Sequence, residues 1–595
     1  MKFRAAVFLI ENMPGHYSYA SDDILEYYEK AIPILKDTSI IAHYVTEKLI
    51  ALSAEYRGIK NNYIEDIKII TSDYLIYTID KAFELWNKPW ALHLSFDEFC
   101  ETLLPYKCVE LQQLDYWRDT LASKFTLDIS QEDSLITDYI KTPINQYIAL
   151  AEDINNKISV VYTSTANDYF KPLSAETISL LRFGTCNDCI NIFLPVMRSF
   201  GIPVIKESIP QWGKTNVKGH TFMSLINKTN IYLNIPSYEI TTPEGIYYND
   251  ISVPKVFRET YSQNKRVVEY YKDSKHILGS IDIFSTDITD QYFSTSDISI
   301  PISRKGLKDK YAYLAMFGNL DWQVLDFGKI KNGIVNFEKV GRDNVYIILG
   351  YNGDKLIPIS DPFFLHNNAV VDYVNCDTTE LNQVKLYRKF YLRRELCELA
   401  SKAKGEIQAS NYPNFREYQT MCEITTPGAL TSVDSNNSYR YWRFCPSDDS
   451  SCNIAELIFF KDNNQEALSG EMITNIIENI PGRYSSKFAF DGDWLTTVNS
   501  EEKGAWIGLD FGEPISISTV ISVPRGDDNN IHLGDHYELK YWNNDKWNSL
   551  GIQVATDNYL EYNNVPSNTI LWLSDLTQGK QERIFTYEND RQVWW

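Results

Sequence analysis

Long apolar runs are missing from this 595-residue chain. No stretch of about eighteen or more apolar residues occurs, so no segment reads as a membrane-spanning helix. Runs of lysine and arginine are missing too. With 57 basic against 79 acidic residues the net charge is −22, a balance that repels phosphate backbones and argues against nucleic acid and anionic membrane surfaces as partners. Cysteine is sparse. Nine in so long a chain make no disulfide scaffold, and an odd number leaves at least one free thiol if the others pair within the chain. No repeat of fixed period and no low-complexity tract is found, which excludes solenoids and repeat arrays.

What is present is globular. The hydrophobic share is 44% and the charged share 23%, values that build several cores and oppose disorder. At roughly 100–200 residues per domain the length predicts three to five domains. Aromatics reach 14%, which suits extracellular β-rich modules and carbohydrate-binding surfaces as well as ordinary cores. Near the start, Lys2 and Arg4 precede Ala5–Ile10. That apolar run is too short for a signal peptide and Glu11 interrupts it, so it reads as the first element of a fold.

Patterning divides the chain. Residues 1–135 read as a helical region packed on the core, with Ser95-Phe96-Asp97-Glu98 as a capping box. Residues 136–275 mix helix and strand. A helix opens at Cys186, with Cys189, Ile192, Phe193, Val196 and Met197 on one apolar face. Gly201-Ile202-Pro203 ends it and leads into a buried strand, and two further strands begin at His220 and Ile231. Residues 276–390 predict a β-sandwich. Residues 391–437 read as a linker with a short helix, and 438–595 as a last β-sandwich. The fold class expected is multidomain α+β.

Cys186 is the candidate nucleophile. A helix N-terminus and a nearby imidazole both favour a thiolate, and the free N–H groups there can stabilise an oxyanion. His220 follows 34 residues later (220 − 186), at the start of a strand, from which it is expected to meet the thiol near hydrogen-bonding distance as its base. Asn234, on the next strand, is the candidate to orient the imidazole. Cys186 and Cys189 also form a C-x-x-C pair, but a structural zinc site needs about four ligands and no second pair exists. Cys189 therefore reads as core.

Gly184-Thr185-Cys186, Arg198-Ser199-Phe200-Gly201-Ile202-Pro203 and His220-Thr221-Phe222 together resemble the transglutaminase-like (papain-like) superfamily. The resemblance covers about residues 150–240. It implies a cysteine-protease-type core with Cys186 as nucleophile, His220 as base and no cofactor for catalysis. Two departures stand out: Phe222 replaces the family's tryptophan, and Asn234 stands where an aspartate is usual.

Phe488-Ala489-Phe490-Asp491-Gly492-Asp493, Thr496 and Trp506-Ile507-Gly508-Leu509-Asp510-Phe511-Gly512 resemble discoidin, or factor 5/8 type C, domains of the galactose-binding-like group. That implies a jelly-roll sandwich with a glycan ligand and a structural calcium held by Asp491, Asp493 and Thr496, whose hard oxygens suit it. Trp494, Trp542 and Trp547 are candidates to stack on sugar rings. The whole arrangement, including Phe8-Leu9-Ile10-Glu11-Asn12-Met13-Pro14-Gly15-His16-Tyr17 and the terminal Arg583-Ile584-Phe585-Thr586-Tyr587 to Val593-Trp594-Trp595, is similar to large transglutaminase-like proteins of gut Bacteroidetes. This implies an extracytoplasmic location (secreted, periplasmic or surface lipoprotein), reached through an export segment absent here. Two functions are therefore expected to compete. One is a cysteine amide hydrolase or acyl transferase acting on a protein, peptide or glycopeptide. The other is an inactive scaffold used for glycan binding or adhesion.

Overall fold

The architecture comes from a computed structural model. It describes all residues except 20–21, 37–41, 57–62, 128–142, 159–160, 163–173, 182, 215–218, 227–231, 235–238, 242–250, 303–305, 402, 434–436, 448–451, 462–466, 478–484, 501 and 580. The side chains of 22–24, 42–47, 143–145, 158, 161–162, 183–184, 232–234, 239–241, 394–395 and 401 are also outside the description. The chain is a mixed α and β protein with several antiparallel sheets. Among the described residues no helix is long and apolar enough to cross a membrane.

The first region is helical, from Lys2–Asn12 to Pro143–Ile158. Helix Phe96–Thr102 starts where expected, because Ser95 Oγ accepts from the Glu98 amide at 3.2 Å while Glu98 returns a bond to the Ser95 amide at 2.8 Å. These helices share one core with helix Cys186–Ser199: Leu9, Phe99 and Trp117 lie in the same buried cluster as Ile192, Phe193 and Val196. Gly201 ends that helix in the left-handed region at φ 79°, and the Ile202 amide closes back on the Met197 carbonyl at 3.1 Å. A Cβ at Gly201 would also lie 2.9 Å from the Leu85 carbonyl oxygen, so both conformation and space require glycine.

The helix packs on a six-stranded sheet of order 285–287, 257–259, 204–209, 220–225, 232–234, 239–241. The expected boundary at residue 275 therefore falls inside this sheet. Strand Ser285–Asp287 pairs with Phe257–Glu259, and helix Lys265–Asp273 fills the connection. Short strands with three residues each carry too little periodicity to be read from sequence.

A second sheet is built on Tyr311–Phe317, Trp322–Lys329 and Asn344–Tyr351. Ala312, Leu314 and Met316 face Val335 and Phe337 of the neighbouring ladder. Tyr311, Tyr313 and Phe317 face Tyr270, Trp542 and Ile584. Burial on both faces explains the unbroken apolar run of this strand.

The C-terminal half departs from the boundaries expected. Gly405–Ser410 and Gln419–Ile424, placed in a linker by the sequence reading, are strands of a five-stranded sheet with Tyr439–Pro446, Ile507–Ile515 and Glu471–Thr474. A four-stranded sheet around Cys452–Phe460 and Thr519–Pro524 closes on it over Ile407, Trp442, Phe459 and Leu509. Only helix Arg394–Ser401 matches the linker reading. Strand Gly405–Ser410 is hidden in the sequence because Glu406, Gln408 and Ser410 on one face are polar, the last two of them buried, and only Ile407 and Ala409 alternate as apolar. This sandwich is inserted in another: strand Asp377–Leu386 pairs with Leu560–Ser567, beside the last sheet formed by residues 536–594. Residues 438–595 are thus parts of two sandwiches.

A fragment of residues 438–595 removes strands from both. It is expected to show no cooperative thermal transition by circular dichroism, whereas residues 376–595 melt cooperatively. Equal cooperativity in the two fragments would contradict this division.

Candidate functional site

Cys186 is the first residue of its helix, a half-buried free thiol. The positive end of that helix is already engaged. Asp188 accepts the Thr185 amide and the Thr185 hydroxyl, each at 2.9 Å, and is itself buried. A carboxylate in the first turn satisfies the helix dipole that the thiolate was expected to use.

His220 opens strand His220–Leu225 as expected. Strand alternation decides its direction. Met223 and Leu225 belong to the core cluster that contains the cysteine helix. Phe222 belongs to the opposite cluster, with Ile209, Trp212 and Tyr292. The His220 ring lies on that second side, stacked at 5.9 Å on Phe222 and at 6.0 Å on Trp212. Thr221, not His220, lines the cleft that Asn187 of the cysteine helix also lines. Among the described residues no hydrogen bond joins His220 to Cys186. Burial alone pushes the imidazole down to about 4. Asn234 ends strand Tyr232–Asn234, which pairs with the histidine strand through Met223–Leu233. Its side chain lies outside the described residues.

The segment before His220 is held from far away. The Gly213 amide donates to the Ser252 carbonyl at 2.8 Å. A Cβ there would lie 2.0 Å from Ser252 Oγ and 2.1 Å from Asn344 Oδ1, so only glycine fits. Arg583 donates from Nη2 to the Trp212 carbonyl at 3.0 Å and from Nε to the Trp595 carbonyl at 2.6 Å. Nothing local in the sequence marks Arg583 for this, since its acceptor is 371 residues away.

Sequence reasoning also missed Glu207. Fully buried on the His220 side, it accepts from Ser224 Oγ at 2.5 Å, from Arg258 Nε at 2.7 Å and from the Tyr292 hydroxyl. The alternation of Glu207 with Ile205 and Ile209 was the available signal: a carboxylate at an inward position needs a partner. A cleft of about 330 Å³ is lined by Asn187, Glu207, Ser208, Thr221, Glu259 and Arg266.

The Asp491-Gly492-Asp493 loop lies in the inserted sandwich and closes on itself. Asp491 Oδ1 accepts the Asp493 amide at 2.9 Å, and the Thr496 hydroxyl donates to Asp491 at 3.0 Å. Asp493 Oδ1 accepts the Leu495 amide at 3.0 Å. Calcium takes six to eight oxygens, and among the described residues no group of three His, Cys, Asp or Glu side chains is placed to hold a metal. Buried Glu456 accepts the Gly492 amide at 3.1 Å, and burial together with Asp491 and Asp493 pushes its carboxyl up to about 7. Of the three candidate tryptophans, Trp542 is buried and packs at 5.1 Å against half-buried Trp547, and Trp494 stacks on His532 at 3.8 Å. Cys189 is fully buried, a core residue.

Compared with known proteins, the chain matches no family model and no curated protein.

Two pH dependences follow from the burial. Folded His220 resists protonation until about pH 4, while the unfolded histidine takes a proton near 6.5. Its contribution is intact above the higher value and is lost as pH falls through that window. His220→Phe should therefore flatten the loss of melting temperature between about pH 6.5 and 4; an unchanged slope would contradict the desolvated imidazole. Glu456 has the opposite sign. Its folded carboxyl keeps a proton up to about 7, so stability is full below the unfolded value and falls as pH rises through 7. Glu456→Gln should melt higher than the natural chain at pH 8 and equally at pH 4; equal melting at both would overturn the assignment.

Proposed function

We propose that this chain is a binding protein whose transglutaminase-like core acts as a scaffold, in preference to a cysteine amide hydrolase or acyl transferase. The observation that carries this reading is the direction of His220. A thiol nucleophile needs its base within hydrogen-bond reach. Here the imidazole stands on the side of the strand away from the cysteine helix, between Trp212 and Phe222. A rotamer change does not carry a side chain through a sheet; a one-residue register shift is needed. Burial also makes the ring a weak base at neutral pH, at about 4. The competing enzymatic reading keeps Cys186, His220 and Asn234 as its triad and a protein or glycopeptide as its substrate.

The ligand we carry with the binding reading is a glycan, and the location extracytoplasmic, both from the resemblance to discoidin domains and to exported Bacteroidetes proteins. A structural calcium at Asp491, Asp493 and Thr496 belongs to the same expectation. It is tested by melting with calcium and with chelator.

The decisive experiment is alkylation of Cys186 by iodoacetamide in the full chain, across pH 5–9, followed by peptide mass spectrometry. His220→Ala is expected to leave the rate unchanged within about twofold, since an imidazole that does not touch the thiol cannot activate it. A fall of roughly tenfold near neutral pH in that variant would restore the dyad and the enzymatic reading.

A further inference from the structure

The largest cavity described is lined by no residue of the cysteine helix or the histidine strand and lies in the seam between the second sheet and the last one. Its volume is about 480 Å³, within the range of small-ligand sites. Three stretches distant in sequence build it: residues 364–384, 565–571 and 586–588. The floor is apolar, with Val384 and Leu571 buried. Phe364, Tyr373 and Tyr587 add half-buried rings to the wall. The rim is polar, with Glu380, Asn382, Asn568 and Glu588 exposed.

The charge pattern of the lining is one-sided. Asp372, Glu380 and Glu588 line the cavity, and among the described residues no lysine or arginine does. On a chain of net charge −22 this disfavours phosphate, sulfate and carboxylate ligands. The carboxylates do not converge either. Among the described residues no three acidic groups are placed to share a metal, so a point cation is not gathered. Instead Glu380 and Glu588 stand on the rim and already accept neutral hydroxyls, while Asp372 lies 3.8 Å from His366 Nε2. Glu380 takes Ser567 Oγ at 2.9 Å and Glu588 takes Thr586 Oγ1 at 2.7 Å. Spread acceptors and amides above aromatic rings match a pyranose, which has hydroxyls around its edge and an apolar C–H face.

The backbone is irregular at this place. Strand Asp377–Leu386 shifts register twice against Leu560–Ser567, between Asp377 and Leu381 and again between Asn382 and Val384. Bulges re-aim side chains and recur beside binding sites. Opposite them Asn568 holds a left-handed φ of 50°, a conformation tolerated best by asparagine among residues with a side chain.

We infer that this seam cavity is a binding site for a neutral glycan, which it would hold through Glu380, Asn382 and the Tyr587 ring. The inference rests on the binding reading above and gives it a place other than the Asp491 loop. The test uses the full chain on an array of neutral, sialylated and sulfated oligosaccharides, then saturation-transfer NMR and calorimetry with the strongest neutral hit. A pentalysine peptide is run in parallel. Binding to neutral glycans is expected, weakened roughly tenfold or more by Glu380→Gln and by Asn382→Ala, with melting temperatures unchanged. Asp491→Asn should leave it intact. No neutral hit, neutral binding that survives both rim variants, or binding only of anionic glycans or pentalysine would each overturn the site. Cys186 labelling is independent of these outcomes. An empty array with labelling indifferent to His220 removes this cavity alone, while labelling that depends on His220 removes the scaffold reading whatever the array shows.

Discussion

Arg583 lies wholly out of solvent, and a guanidinium at that depth is tolerated only where acceptors are waiting for it. It finds the carbonyl of Trp212 and that of Trp595, and sits 3.9 Å from the sulfur of Met316. Burial pushes the group down to about 9. Those contacts join the last sheet, the end of the chain, the second sheet and the segment that precedes His220. Lys214 reinforces the joint, pairing with Asp343 and lying 5.3 Å over the Trp595 ring. The Trp212 ring can flank His220 only while its backbone is held in this way, so the candidate site depends on residues from the far end of the chain.

The same rule governs other interior charges. Asp66 takes both the Tyr106 hydroxyl and Lys107 Nζ at 2.7 Å. Lys255 lies between Asp287 and Asp326, and Lys389 meets Asp575 at 2.7 Å. Glu207 collects an arginine and two hydroxyls. Buried pairs of this kind contribute little net stability over an apolar packing of equal volume. Removing one member, however, leaves a charge without a partner, which costs about 3–5 kcal/mol. They act on arrangement: each one links elements that no local sequence signal connects.

Strand parity separates the two functional readings. Motif spacing brings the cysteine helix and the histidine strand to the same sheet, and the structure has them packed together. It does not say whether residue 220 or residue 221 points to the helix. That is set by the pairing of Ile209 with His220 and Val204 with Leu225, and by which side buries Phe222. One residue of slip would exchange the whole set of side chains between faces.

Much of the local structure was legible in the sequence. The Ser95 cap, the helix opening at Cys186, its end at Gly201, the strand from His220 and the buried strand at Tyr311 all rest on neighbours within a few residues. Capping, glycine's access to positive φ and apolar periodicity are short-range effects, and sequence carries them directly. The burial of Cys189 followed from its place on the apolar face. What the sequence could not carry was the assembly of distant pieces. The strands around Gly405 and Gln419, the pairing of Asp377–Leu386 with Leu560–Ser567, the grip of Arg583 on Trp212 and the seam cavity all depend on contacts across tens to hundreds of residues. The direction of His220 belongs with them. A histidine at a strand start satisfies the motif on either face, and only the tertiary packing of Phe222 and Trp212 on one side, and of Met223 and Leu225 on the other, decided which it took.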